Sequence, residues 1–168
     1  LKMFGRINPG GEVAIRLNPG IGAGHHEKVV TAGKKTKFGI SPEYLDEVKK
    51  VLKECNLKLA GINQHIGSLF MEADPYLQSV QSLLSLANHF DDIRFVDFGG
   101  GFGIPYRKQD GQKRLELAEF GKKFSEILND WSEKYGRKLL FRTEPGRYIV
   151  AECGVLLGRV YALKQNYN

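Results

Sequence analysis

The sequence is poor in cysteine and contains no long apolar run. Its two cysteines, Cys55 and Cys153, lie far apart and match neither a metal-binding spacing nor a disulfide framework. This scarcity favours a reducing, cytoplasmic setting. No apolar stretch approaches the roughly 20 residues of a membrane-spanning helix, and we find no signal peptide or lipidation motif. We therefore expect neither a disulfide-rich secreted protein nor a membrane partner.

Glycine and positive charge, in contrast, are in excess. The 168 residues include 20 glycines, whereas an average composition would give roughly 12. Lysine and arginine number 25 against 19 acidic residues, which gives a net charge of +6. The lysines are scattered rather than gathered in one arm, so we expect a solvated surface and no nucleic-acid partner.

Hydrophobic patterning predicts strands that alternate with helices. Short β-type runs cover residues 13–17, 59–66, 94–98 and 139–143, and residues 155–163 are also β-rich. Ser41-Pro42 and Asp74-Pro75 are typical of helix starts, and Gly136 occupies the C-cap position of a third helix that begins near Leu117. Residues 20–39 are typical of a long loop. The alternation predicts an α/β fold of parallel strands joined by crossover helices.

Each predicted helix has one apolar face, formed by residues three and four positions apart. The faces are Leu45, Val48, Val51 and Leu52; Leu77, Val80, Leu84 and Ala87; and Leu117, Phe120, Phe124, Ile127, Trp131 and Tyr135. We expect these faces to cover the sheet.

Polar and glycine-rich clusters follow three of the predicted strands. They cover residues 65–68, 99–103 and 144–147. The carboxyl ends of parallel strands form the edge at which barrels and open α/β sheets bind ligands. We therefore expect a ligand site at this edge.

The glycine cluster that follows Asp97-Phe98 allows close approach of the backbone to an anion, with several N–H groups aimed at it. A tight turn from strand to loop is the alternative. No Gly-Lys-Ser/Thr follows, which excludes a Walker loop. The third glycine of a dinucleotide fingerprint would fall at position 104, which is Ile104.

The cluster Glu144-Pro145-Gly146-Arg147 places a carboxylate and a guanidinium three positions apart. Arg147 is suited to bidentate binding of phosphate or carboxylate. Glu144 is a candidate general base, metal ligand or partner of a protonated ring nitrogen, and a local ion pair is the alternative. His65 is either a structural histidine or a group that stacks on an aromatic ligand or moves a proton.

His25-His26-Glu27 is the sequence's nearest approach to a metal motif. Adjacent histidines point in different directions and no second cluster supports them, so we expect no metal site. The remaining candidates combine a glycine turn, an arginine, a carboxylate and an imidazole at one edge. A phosphorylated aromatic cofactor fits that set.

Six short strings, in order and at family-like spacing, resemble the alanine-racemase-like (fold type III) pyridoxal-phosphate decarboxylases. They are Arg16-Leu17-Asn18-Pro19, Thr31-Ala32-Gly33, Lys37-Phe38-Gly39-Ile40, His65-Ile66-Gly67-Ser68, Gly99-Gly100-Gly101-Phe102-Gly103 and Glu144-Pro145-Gly146-Arg147. The resemblance covers essentially the whole chain. It implies pyridoxal 5'-phosphate as cofactor and an amino acid as substrate.

The resemblance also implies roles for individual residues. His65 would stack on the cofactor ring, Glu144 would pair with the ring nitrogen and Arg16 would orient the ring. Glu144 and His65 would be the catalytic residues. The phosphate would contact Ser68, Gly99, Gly100, Gly101, Gly146 and Arg147. Pro145 belongs to the same binding motif, and Arg147 would also bind the substrate carboxylate.

The fold implied by the resemblance is a partial (β/α)8 barrel. A complete barrel takes about 250 residues, so the chain supplies about four β–α units in residues 1–154, and residues 155–168 would begin a C-terminal β-domain. The family's cofactor lysine lies on an earlier barrel strand, and no lysine here, Lys2 included, has that context. Together with the start at Leu1, this predicts a segment of a longer enzyme that is inactive alone.

The motif versions favour decarboxylation of meso-diaminopimelate to L-lysine, and the resemblance implies a homodimer for the full enzyme. Decarboxylation of ornithine, arginine or a carboxylated polyamine is the nearest alternative. A non-catalytic homologue that binds the cofactor, or a phosphate-binding barrel without it, are alternatives from other classes.

Overall fold

The computed structural model describes residues 1–21, 32 and 36–165. The His25-His26-Glu27 motif lies outside the described residues, as do Thr31 and Gly33. Within the described ranges, no group of three or more histidine, cysteine, aspartate or glutamate residues is arranged to hold a metal ion. In the same ranges, no helix is both long and apolar enough to cross a membrane.

The chain alternates between strand and helix, as the sequence predicts. In chain order the elements are α1 (Lys2–Ile7), β1 (Glu12–Arg16), α2 (Leu45–Glu54, after a 3-10 turn over Pro42–Tyr44), β2 (Lys58–Asn63), α3 (Ala73–Ala87), β3 (Phe95–Gly100), a 3-10 turn (Lys108–Asp110), α4 (Leu117–Tyr135), β4 (Leu140–Glu144) and α5 (Arg147–Val150).

The four strands form one parallel sheet in the order β1-β2-β3-β4. Each strand therefore lies beside the next strand of the chain, and the order never reverses. A doubly wound open sheet would reverse its strand order at a switch point. Sequential parallel strands are the arrangement of a (β/α)8 barrel, so the predicted fold class is confirmed.

The two faces of the sheet differ in chemistry. Ile15, Ile62 and Val96 lie in register on adjacent strands and are buried in the core with residues of α2, α3 and α4. One position later in each strand, and thus on the opposite face, a second register row crosses the sheet. This polar row consists of Arg16, Asn63, Asp97 and Arg142. It lies on the face that would line the interior of a closed barrel.

Two of the three predicted helix faces match the core closely. Leu45, Val48 and Leu52 of α2 are buried, with Val51 only half-buried, and all four predicted residues of α3 are buried. On α4, in contrast, Phe120 is buried while Leu117 is exposed. The remaining α4 positions are half-buried, because α4 covers the outermost described strand and has a helical neighbour on one side only.

Several predicted boundaries are wrong. β2 ends at Asn63 rather than at residue 66, because the chain leaves the ladder and turns into the His65-Ile66-Gly67-Ser68 loop. α3 begins at Ala73 with Glu72 at its N-cap, not at Asp74-Pro75, and Ser41 makes no side-chain capping hydrogen bond. Gly136 is the C-cap of α4 in the left-handed conformation, as predicted.

The two ends of the chain also differ from expectation. The sequence predicts no element over α1, a helix of only six residues. Residues 155–163 contain no strand, and their apolar side chains are exposed; Leu156 is 99% accessible. A β-type run needs a neighbouring strand to satisfy its backbone groups, and residues 155–163 pair with none of the described strands.

Candidate functional site

Three strand ends meet at the glycine cluster. A Cβ on Gly99 would overlap the carbonyl oxygen of Gln64, one on Gly100 that of Glu144, and one on Gly101 that of Gly67. The three glycines therefore allow β3 to make direct backbone contact with the loop after β2 and with the end of β4. This close approach unites the three clusters that the sequence places at separate strand ends.

The glycine cluster also contains a β-bulge. Asp97 pairs with Arg142 and Gly100 pairs with Glu144, so two residues of β3, Phe98 and Gly99, lie opposite Thr143 alone. A bulge bends its strand and re-aims the groups that follow. Here it places Gly100 beside Glu144.

His65 has a defined environment. The N–H of Gly100 donates to its Nδ1 at 3.3 Å, and Arg16 donates from Nη2 to its carbonyl oxygen at 3.1 Å. Burial lowers the pKa of His65, the Arg16 charge lowers it further, and Asp97 opposes both. The imidazole is therefore neutral near pH 7, and with Nδ1 as an acceptor its proton lies on Nε2.

Glu144 and Arg16 belong to the same electrostatic group. Burial raises the pKa of Glu144, the Asp97 charge raises it further, and Arg16 opposes them. Burial lowers the pKa of Arg16, and the charge of Glu144 raises it in opposition. An arginine nevertheless remains protonated in proteins. The guanidinium of Arg16 also lies 5.2 Å from the centre of the Phe38 ring.

The structure places Arg147 at the start of α5, where it is exposed. Gly146 precedes it with a φ of 49°, and Pro145 is half-buried. Among the described ion pairs there is none between Glu144 and Arg147. The local ion pair that the sequence left open is therefore not formed.

Ser68 lies in the loop that carries His65. It is half-buried between Gly67, with a φ of 147°, and Leu69, with a φ of 62°. Positive φ is strained for leucine. The loop thus holds a conformation that its surroundings impose, and it brings His65 and Ser68 to the same strand end.

Buried groups support the glycine cluster from the helix side. The hydroxyl of Tyr76 on α3 donates to the carbonyl oxygen of Gly99 at 3.3 Å. Its ring stacks on Phe70 at 4.8 Å and also contacts Phe102. Because burial raises the pKa of Tyr76, its hydroxyl stays protonated and remains a donor.

Sequence reasoning did not assign a role to Asp97. Its Oδ1 accepts the N–H of Gly99 at 2.9 Å, and its charge acts on both His65 and Glu144. The signal was present in the alternation of β3, where Asp97 interrupts an otherwise apolar run between Val96 and Phe98. Only the polar row shows that this residue lies on the same face as Arg16.

The family model for the pyridoxal-binding domain of pyridoxal-dependent decarboxylases matches residues 1–151. The chain belongs to the pyridoxal-dependent decarboxylase family. This membership confirms the cofactor that the sequence predicts. A pyridoxal cofactor has a flat ring with a basic nitrogen, and the united strand ends present an imidazole and a carboxylate that suit these two features.

Relatives of this pyridoxal-binding domain include diaminopimelate decarboxylases. The protein of that name from Methanothermobacter thermautotrophicus is 34% identical over 99% of this chain, and the match spans 40% of the relative. A crystal structure of diaminopimelate decarboxylase aligns over 90% of this chain and 35% of its own, with a TM-score of 0.78 and 28% identity. The Helicobacter pylori enzyme in complex with L-lysine aligns over 90% of this chain and 38% of its own, with a TM-score of 0.76 and 27% identity.

Two predicted phosphate donors have partners within the protein. The N–H of Gly99 donates to Asp97 and that of Gly100 donates to His65. In this domain both glycines therefore shape the site through internal hydrogen bonds. Their direct contact with a phosphate stays a prediction.

Proposed function

We propose that the protein containing this chain decarboxylates meso-diaminopimelate to L-lysine as a pyridoxal-phosphate-dependent carboxy-lyase of lysine biosynthesis. The observation that carries the proposal is the meeting of His65, the glycine cluster and Glu144 at one sheet edge. The diaminopimelate decarboxylases named above support the substrate. The proposal goes beyond the chain, which spans about 40% of the length of the curated relatives it matches.

When bound, pyridoxal phosphate supplies a conjugated ring that accepts the electron pair left on Cα as the carboxyl group departs. Glu144 would hold a proton at the ring nitrogen, because an ionised carboxylate favours the protonated form of a neighbouring base. Arg16 favours the ionised form of Glu144 and would orient the ring. His65 would stack on the ring, and its neutral state would avoid repulsion of a protonated ring nitrogen.

The remaining predicted residues would bind the acidic groups of cofactor and substrate. Ser68, Gly101 and Gly146 would contact the phosphate, with Gly99 and Gly100 shaping the turn and Pro145 fixing the path of the chain. Arg147 would bind the phosphate and the substrate carboxylate through its paired N–H donors.

We also propose a division of the chain at residue 154, with residues 155–168 beginning a β-domain. The end of the family match at residue 151 supports this division, as do the uncovered apolar side chains beyond it. The family resemblance supports a homodimer, and the scarcity of cysteine supports a cytoplasmic location. The chain alone is expected to be inactive.

Glu144→Gln tests the proposed role of the carboxylate. A neutral amide no longer favours the protonated ring, so we expect turnover of meso-diaminopimelate to fall at least tenfold, a change of about 1.4 kcal/mol in activation free energy. Cofactor affinity should change much less. CO₂ release and cofactor titration of the natural-length protein measure the two effects. Glu119→Gln, an exposed substitution on α4, is the matched control.

The same assay distinguishes the alternatives. Unchanged turnover in Glu144→Gln would refute the role of this carboxylate. Preferential turnover of ornithine, arginine or a carboxylated polyamine would replace the proposed substrate. Cofactor binding without CO₂ release from any of these substrates would identify a non-catalytic homologue. Failure to bind the cofactor would support a phosphate-binding barrel that does not use it.

A further inference from the structure

Asp97 lies at the point where β3 departs from regular pairing. Its side chain belongs to the polar row, on the face of the sheet opposite the core. The bulge begins directly after it, and Gly99 within the bulge has a φ of 71°. The N–H of Gly99 lies outside the regular ladder with β4, and the Asp97 Oδ1 accepts it at 2.9 Å. A carboxylate that accepts the N–H two residues later stabilises a turn.

The bulge controls the position of the next N–H group. Gly100 follows Gly99 directly, lies in register with Glu144 and donates to Nδ1 of His65 at 3.3 Å. A shift in the peptide of Gly99 would rotate this donor away from the imidazole. The state of His65 thus depends on the conformation that the carboxylate of Asp97 holds.

We propose that Asp97 is a positioning residue that holds the bulge through the N–H of Gly99, so that the N–H of Gly100 fixes His65 with its proton on Nε2 for stacking on the cofactor ring. The inference deepens the proposed function and rests on it for the role of His65. The oxygen position of Asp97, rather than its charge, carries this effect.

Two variants separate position from charge. Asp97→Asn keeps an acceptor oxygen at the same place but removes the charge, whereas Asp97→Glu keeps the charge and moves the oxygen by one methylene. Asp130→Asn and Asp130→Glu, on the exposed side of α4, are matched controls. All variants are made in the protein at its natural length.

The readouts are the ¹⁵N shifts of the His65 ring in the cofactor-free protein and the dissociation constant of pyridoxal phosphate. In Asp97→Asn we expect the wild-type tautomer and an affinity within about threefold of wild type. In Asp97→Glu we expect a tautomer mixture and an affinity roughly tenfold weaker, as for the loss of a hydrogen bond to a charged group. If Asp97→Glu does not fold, Asp97→Ala is measured in its place, with the same expectation.

The opposite order, with Asp97→Glu like wild type and Asp97→Asn weakened, would assign Asp97 an electrostatic role and overturn the proposal. Equal behaviour of the two variants would also overturn it. A wild-type protein that does not bind pyridoxal phosphate would refute the proposed function. The tautomer comparison does not need the cofactor, so it would still decide the positioning role.

Discussion

At the scale of single residues, the glycines of the site are fixed by packing against neighbouring backbone. The carbonyl oxygen of Glu144 occupies the space that a side chain on Gly100 would need. This contact unites β3 and β4 at their carboxyl ends. The same glycine donates to His65, so packing and site geometry depend on one residue.

Gly100→Ala should destabilise the protein by about 3 kcal/mol, since overpacking against backbone cannot be relieved by a rotamer change. Gly121→Ala is the matched control, because Gly121 lies inside α4 with no atom within 4 Å of an added Cβ. It should stabilise by about 0.5–1 kcal/mol through helix propensity. Urea unfolding measures both changes, and equal stability of the two variants would contradict this account.

The site residues were predictable from sequence to an uneven degree. His65, Glu144 and the glycines follow apolar runs, so their position at the strand ends could be derived. The hydrogen bond from Gly99 to Asp97 could not, because the bulge that creates it depends on the register between β3 and β4. Nor could the sequence show that the N–H of Gly100 has a partner in His65.

At the scale of elements, α3 both covers the sheet and supports the glycine cluster. Tyr76, in its first turns, is fully buried and donates to Gly99 from beneath. Through this bond a helix of the core contributes, together with Asp97, to the conformation of a turn at the sheet edge.

Tyr76→Phe removes only that hydroxyl. Tyr135→Phe is the matched control, because the Tyr135 hydroxyl donates to the carbonyl oxygen of Phe90 at 2.6 Å, away from the site. Each variant should lose about 1 kcal/mol of stability. Only Tyr76→Phe should also weaken the binding of pyridoxal phosphate, by about two- to fivefold. Chemical unfolding and cofactor titration measure these effects. Equal cofactor affinities in the two variants would mean that Tyr76 does not support the site.

Helices were easier to predict than strand ends. The apolar stripes of α2 and α3 have helical spacing over two turns or more, and in the structure their residues are buried against the sheet. The apolar run of β2 extends to Ile66, three residues beyond the last residue that pairs within the sheet. Ile66 is apolar because it is buried in a loop, not because it belongs to the strand. Alternation alone therefore placed the end of β2 too late.

At the scale of the whole molecule, the sheet has two outer edges. In the part of the chain that the structure describes, β2 is the only strand beside β1 and β3 the only strand beside β4, although Ile40 bridges to the end of β1 at Leu17. Unpaired strand edges offer backbone donors and acceptors to other chains. Leu140 on β4 is 54% exposed and adds apolar surface to one edge.

The 168-residue chain, produced by itself, should therefore self-associate in a concentration-dependent manner, as measured by sedimentation velocity. Leu140→Lys should reduce this association, because a charged side chain on an edge strand disfavours pairing with a second sheet. Leu117→Lys, at an exposed leucine of α4, should leave it unchanged. A monomer at all concentrations, or equal effects of the two substitutions, would argue against association through the edges.

The order of the strands was the most predictable property at this scale, since regular strand–helix alternation favours sequential parallel neighbours. The two chemical faces were less predictable. The polar row becomes apparent only when the register aligns Arg16, Asn63, Asp97 and Arg142 across the sheet.

The backbone contacts of Gly99, Gly100 and Gly101 also bear on how divergent homologues should be classified. Because these contacts are required for the strand ends to meet, selection for a folded domain would retain the glycines even after the loss of the cofactor. A triple-glycine motif therefore discriminates poorly between active enzymes and inactive descendants. Loss of His65, whose side chain makes none of these backbone contacts, would be a more sensitive marker of lost activity.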